Sequence, residues 1–189
     1  MAERERIMVF VDGTNFLIQL SAFLRLDFRA EKPPWPAIGL ADRLIHEYTY
    51  MGKFNLIRRY WFASYKGNEE FLMEYREQLR SRNFEPKLFR KRGDREKGVD
   101  IALTKEMLVN AFQNNCDWVV LIADDEDYVE LVEEVKRYGQ KINGLFFQEG
   151  LSKHLRLAFD DFAYVHQIGF GPGYEPLKNA IADIVQPNK

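Results

Sequence analysis

An α/β sandwich with a central, mainly parallel sheet and helices on both faces is the fold class that this 189-residue chain predicts. Two observations predict it. Apolar runs of strand length alternate with amphipathic stretches of roughly 10–15 residues, and turn residues separate the two kinds. Such alternation implies right-handed crossovers and a sheet covered on both sides. A third observation suits the same fold: acids follow two of the apolar runs, and an open parallel sheet binds its ligands outside the carboxyl ends of its strands.

Residues 6–11 are a continuous apolar run and read as a strand; residues 15–24 follow as a helix with Phe16, Leu17, Leu20 and Leu24 on one face. Pro33, Pro34 and Pro36 around Trp35 make residues 27–36 a loop or lid. A helix over 39–50 leads to a strand over 54–63, rich in aromatic and β-branched residues. Residues 68–82 are helical, with Phe71, Leu72, Tyr75 and Leu79 forming the apolar stripe. A short strand over 86–89 and a polar loop over 90–97 close the first half. The second half repeats the pattern: helix 99–112, strand 118–122, helix 128–138 stopped by Gly139, strand 141–146, helix 152–159 and a last strand over 162–166. Residues 1–168 are thus expected to form one domain. Gly169-Phe170-Gly171-Pro172-Gly173 reads as a linker within 169–189, and Leu177, Ala180, Ile181 and Ile184 as an amphipathic helix that can dock on the domain, a protein partner or a second copy.

Composition narrows the function classes. With 46% apolar and 30% charged residues the chain is ordinary globular material, and a net charge of −2 means that any anionic partner must be held by a local patch. The single Cys116 excludes an intramolecular disulfide and a thiolate zinc cluster. The opening residues run directly into residues 7–11, too short and too acid-flanked for a signal peptide, and no apolar run approaches a membrane span. A cytoplasmic protein without membrane contact is expected.

Four short acidic segments carry the chemistry. They are Val11-Asp12-Gly13-Thr14-Asn15, Lys97-Gly98-Val99-Asp100, Asp124-Asp125-Glu126-Asp127 and, more weakly, Asp160-Asp161. Carboxylates converging in one crevice repel each other unless a cation sits among them, and oxygen-only ligands suit Mg²⁺ or Mn²⁺. Each acid also has a plain structural explanation. Asp12 and Asn15 suit a turn and a helix N-cap, Asp125 a turn, Asp127 an N-cap, and Asp100 the first turn of a helix. Asp100, however, shares a helical face with Leu103, Thr104 and Met107, which turns it toward the interior, where an unpaired carboxylate is costly.

At these motifs the chain resembles a known family. Phe10-Val11-Asp12-Gly13-Thr14-Asn15, Lys97-Gly98-Val99-Asp100-Ile101-Ala102-Leu103 and the run Val119 to Tyr128 are similar to the three signature blocks of NYN domains, the LabA-like branch of the PIN-like nucleases; Ser152, Leu155 and Asp161-Phe162 resemble the closing block. The resemblance implies a PIN-like, Rossmann-like sheet and Mg²⁺- or Mn²⁺-dependent cleavage of RNA. By position it implies metal-site and catalytic roles for Asp12, Asp100, Asp125 and Asp127, with Asn15 beside them. Two departures stand out: Ala123-Asp124 replaces the usual Ser-Gly, and Glu126 replaces a small polar residue, which together remove a hydroxyl and add negative charge.

Lys87, Arg90, Lys91, Arg92, Arg95 and Lys97, opposed by Asp94 and Glu96, make a patch of net +4 just before Asp100. Arg90, Lys91, Arg92, Arg95 and Lys97 are candidates to hold RNA phosphates, and Trp35 to stack a base; a solvated loop is the competing reading of the charge run. No GxxxxGKS phosphate loop and no GxSxG elbow exist, and Cys116 has no evident activating base. A Toprim-like site would need a Glu on the first strand, where Asp12 stands. The sequence thus points to a metal-dependent ribonuclease. The alternative is a catalytically weak regulatory domain that binds RNA or protein and keeps the acidic site.

Overall fold

The apolar run at Arg6–Asp12 becomes β1, and all of it after Arg6 is buried because β1 is a central strand covered on both sides. Its side chains alternate: Ile7, Val9 and Val11 enter one core and Met8 and Phe10 the other. The structure is a computed structural model and describes residues 4–25, 35–91, 98–147, 152–165 and 168.

The elements run β1 (Arg6–Asp12), α1 (Gly13–Leu24), α2 (Trp35–Met51), β2 (Asn55–Tyr65), α3 (Glu69–Arg80), β3 (Phe84–Arg90), α4 (Val99–Phe112), β4 (Trp118–Ile122), a 3-10 turn (Glu126–Tyr128), α5 (Val129–Arg137), β5 (Lys141–Phe146), α6 (Lys153–Ala158) and β6 (Asp161–Tyr164). The six strands form one sheet in the order β3-β2-β1-β4-β5-β6, with every neighbouring pair parallel. Helices α1, α2 and α3 supply Phe16, Leu20, Ile38, Leu44 and Leu79 to one core, and α4, α5 and α6 supply Leu103, Met107, Val132 and Leu155 to the other. The result is the three-layer sandwich expected. The order reverses between β1 and β4, so the crevice between their carboxyl ends is the topological switch point where such sheets bind ligands.

Three expectations shift. The helix expected from residue 39 begins at Trp35, because Pro36 lies in the first turn, where a missing N–H costs nothing. Pro86 sits within β3, which is tolerated because β3 is an edge strand. Residues 126–128 form a tight 3-10 turn ahead of α5. Most of the 27–36 loop, residues 92–97 of the basic segment, and the linker and C-terminal helix expected within 169–189 lie outside the described residues.

Candidate functional site

Asp12 is the last residue of β1 and the N-cap of α1: its Oδ1 accepts the Asn15 backbone N–H at 2.9 Å. It is only 5% exposed, so its second oxygen also needs a donor. That donor is the Tyr128 hydroxyl, at 2.8 Å from Asp12 Oδ2. The same hydroxyl lies 3.2 Å from Oδ1 of Asp100, in the first turn of α4. One phenol therefore joins an acid from the end of β1 to an acid from the start of α4. Burial and the two carboxylates together push the Tyr128 ionisation far above the ordinary phenol range, so the hydroxyl keeps its proton.

Asn15 makes a second connection across the switch point, since its Oδ1 accepts the Asp124 backbone N–H at 3.3 Å. Thr14 fixes the start of α1 to β2: its Oγ1 accepts the Ser64 N–H at 2.9 Å. Gly13 permits the close approach between them, because a Cβ there would overlap the Trp61 indole.

Of the acids in the third block, Asp125 and Asp127 are exposed, and Asp125 uses its side chain to accept the Asp127 N–H at 3.1 Å as the cap of the 3-10 turn. Asp124 is buried and turns the other way, toward Asn15 and Gln19 of α1, where its Oδ2 has no hydrogen-bond partner. Burial pushes its carboxyl up to about 6. Glu126 reaches away from the site to α6, accepting from Ser152 Oγ at 2.9 Å and meeting His154 Nδ1 at 2.6 Å; the hydrogen bond to His154 lowers its pKa. Asp12 and Asp100 are thus the pair that the structure brings together. Among the described residues no three Asp, Glu, His or Cys side chains are placed to hold an ion jointly. The donor set nevertheless fits a hydrated Mg²⁺ or Mn²⁺, which needs only one or two carboxylates beside water and substrate phosphate.

Several expectations need correction. Asp100 is exposed and faces the crevice, not the interior. Asp160 and Asp161 lie at the opposite end of the sheet, because Asp160 immediately precedes β6 and Asp161 is its first residue; Asp160 accepts the Ile142 N–H at 2.9 Å and pairs with Lys136 at 3.2 Å. Trp35 is not a loop residue awaiting a base: it opens α2, stacked on Phe71 with centroids 6.1 Å apart and edge-to-face with Tyr75 at 5.6 Å. Of the basic candidates, Arg90 ends β3 and is exposed, and Lys91 follows it with its N–H on the Tyr65 carbonyl. Arg92, Arg95 and Lys97 lie outside the described residues. Lys87 belongs to the fold, pairing with Glu106 at 3.1 Å. Cys116 is buried and its thiol is pushed up to about 11, which removes it as a nucleophile. Sequence reasoning missed Tyr128 as a site residue; its place immediately after Asp127 was the available signal.

The NYN domain signature matches residues 6–166. The chain belongs to the NYN domain family. NYN domains are part of the PIN-like nuclease superfamily, and the parallel sheet of this NYN domain has the corresponding architecture. The fold is similar to the crystal structure of a protein of unknown function from Vibrio parahaemolyticus, at 20% identity and a TM-score of 0.63, covering 87% of this chain and 96% of that one. No curated protein matches the chain. Among the described residues of this NYN domain no helix is long and apolar enough to cross a membrane.

Proposed function

We propose that this NYN domain is a metal-dependent ribonuclease that hydrolyses RNA phosphodiester bonds. The observation that carries the reading is the meeting of Asp12 and Asp100 over one buried hydroxyl at the switch point of the sheet. Those two side chains would hold Mg²⁺ or Mn²⁺, with Asp125 and Asp127 of the neighbouring loop as the further ligands that the family implies. A cation held there would supply Lewis acidity, which makes water nucleophilic near neutral pH and offsets charge building on the phosphate. The chain's own groups position. Asp12 is fixed by the Asn15 N–H and the Tyr128 hydroxyl, and Asn15 ties the loop after β4 to α1.

Charge supports a path for the RNA. A groove of about 600 Å³ beside α5 and α6 is lined by Glu126, Asp127, Glu130 and Glu133, which repel phosphate. On the other side of the switch point β3 ends in Arg90, with Lys91 next, and in the sequence Arg92, Arg95 and Lys97 follow. A phosphate chain is drawn to that side.

Metal-titrated cleavage of end-labelled single-stranded RNA, hairpin RNA and DNA tests the reading. Cleavage of RNA that needs Mn²⁺ or Mg²⁺ and falls at least about 100-fold in Asp12→Asn is expected. RNA binding without cleavage at any metal concentration gives the domain instead to the regulatory binding role, which the outward placement of Asp125 and Asp127 favours.

A further inference from the structure

Tyr128 is 3% exposed and sits in the core beneath α4 and α5, yet its hydroxyl emerges between two carboxylates. A phenol has one hydrogen to give. The 2.8 Å contact to Asp12 lies in the ordinary O–H···O range, and the 3.2 Å contact to Asp100 lies beyond it. The hydrogen therefore serves Asp12, and Asp100 is held by the weaker contact at an exposed position. Without Tyr128 the buried Oδ2 of Asp12 would lose this hydrogen bond, and with it the link that the hydroxyl makes between the end of β1 and the start of α4.

We infer that Tyr128 is a positioning residue that presents Asp12 and Asp100 as one unit to a divalent cation, fixing the buried carboxylate and leaving the exposed one able to close on the ion. This rests on the metal-dependent reading above. A donor behind a ligating carboxylate fixes its orientation, and removing such a partner ordinarily costs 10–100-fold in metal affinity. Phenylalanine keeps the ring and its packing, so Tyr128→Phe isolates the hydroxyl.

The test combines two measurements on the full chain. Mn²⁺ titration followed by the electron paramagnetic resonance signal of free Mn²⁺ should show an affinity about 10–100-fold weaker in Tyr128→Phe, with RNA cleavage largely restored by excess Mn²⁺. Metal-free urea unfolding should show that Tyr128→Phe lowers the folding constant about tenfold in the wild-type background and less than about twofold when Asp12 is already Ala, with weaker coupling to Asp100→Ala. Wild-type binding of Mn²⁺ matched within about threefold by Tyr128→Phe overturns the inference, as does a cycle with no coupling to Asp12. A wild-type chain that binds no Mn²⁺ overturns this inference together with the metal-dependent reading, whereas Mn²⁺ binding weakened by Tyr128→Phe without any RNA cleavage overturns the nuclease reading alone.

Discussion

Gly13→Ala is the substitution whose sign the structure decides most sharply. In an ordinary helix the change is favourable by about 0.5–1 kcal/mol, because alanine loses less backbone entropy than glycine. Here a Cβ would overlap the indole of Trp61. The indole has nowhere to retreat: Trp61 is fully buried, stands edge-to-face with Phe84 at 5.5 Å and Phe16 at 5.9 Å, and its Nε1 donates to the Tyr75 hydroxyl at 3.1 Å. Overpacking of this kind costs about 1–3 kcal/mol, so it outweighs the propensity gain and a net loss of ~1–2 kcal/mol is expected. For a domain of this size that corresponds to a fall in Tm of roughly 3–6 °C. Urea and thermal unfolding of the single variant, of Trp61→Phe and of the double variant form the assay. Trp61→Phe alone leaves a void and an unpartnered Tyr75 hydroxyl, but it makes room for the new methyl, so the double variant should lose at least about 1 kcal/mol less than the two single losses combined. Gly13→Ala as stable as the wild type, or more stable, refutes the packing argument.

Two further predictions concern charge. Asp124 has its carboxyl raised by burial to about 6, so the folded state prefers it protonated: its contribution to stability is complete below an unfolded carboxyl pKa near 4 and is lost as pH rises through 6. In metal-free buffer Asp124→Asn should therefore gain about 1–3 kcal/mol at pH 7.5 and much less at pH 5, read as Tm; equal gains at both values contradict the cause. Replacing Arg90, Lys91, Arg92 and Arg95 together by Ala should weaken RNA binding across sequences and flatten the plot of log affinity against log salt by up to about 3, from ~0.7 per phosphate contact on a single strand. An unchanged slope returns that segment to the status of a solvated loop.

The sheet was legible because burial on both faces leaves a strong mark: β1 and β4 are almost uninterrupted apolar runs, and α4, β4 and β5 begin and end where the sequence pattern places them. The site was legible less evenly. Helical periodicity correctly groups Asp100 with Leu103 and Met107 around the axis of α4, but it says nothing about height along the axis. Leu103 and Met107 lie over the sheet and are buried, whereas Asp100, one turn earlier, overhangs the strand ends and meets solvent. Asp160 and Asp161 illustrate a related point: acids at the start of a parallel strand lie at the end of the sheet away from acids that follow one. Trp35 looked exposed because three prolines surround it, yet one of them merely starts a helix. Tyr128 illustrates a further limit, since a buried aromatic after a turn is ordinary core, and only coordinates reveal that its hydroxyl meets two acids.

The departures from the family pattern can now be weighed by where their charges go. Asp124 and Glu126 raise the acidity of the loop after β4, which in sequence reads either as tighter metal binding or as repulsion of RNA phosphate at the proposed site. Neither joins Asp12 and Asp100. Asp124 turns toward α1, on the other side of the sheet from Tyr128, and Glu126 is spent on Ser152 and His154 of α6. The missing hydroxyl is replaced by Ala123, which is buried in the same core as Tyr128. What Glu126 changes is the surroundings: with Asp127, Glu130 and Glu133 it lines the groove beside α5 and α6 with carboxylates, whereas on the other side of the switch point β3 ends in the exposed Arg90. Because β3 and β6 are the two edges of the sheet and β1 and β4 its centre, an RNA bound as proposed would have the carboxylates of the α5–α6 groove on one side of Asp12 and Asp100 and Arg90 on the other. Such a gradient would add little affinity at Asp12 and Asp100 but would orient the strand, and its effect should fade as salt screens distances beyond about 10 Å.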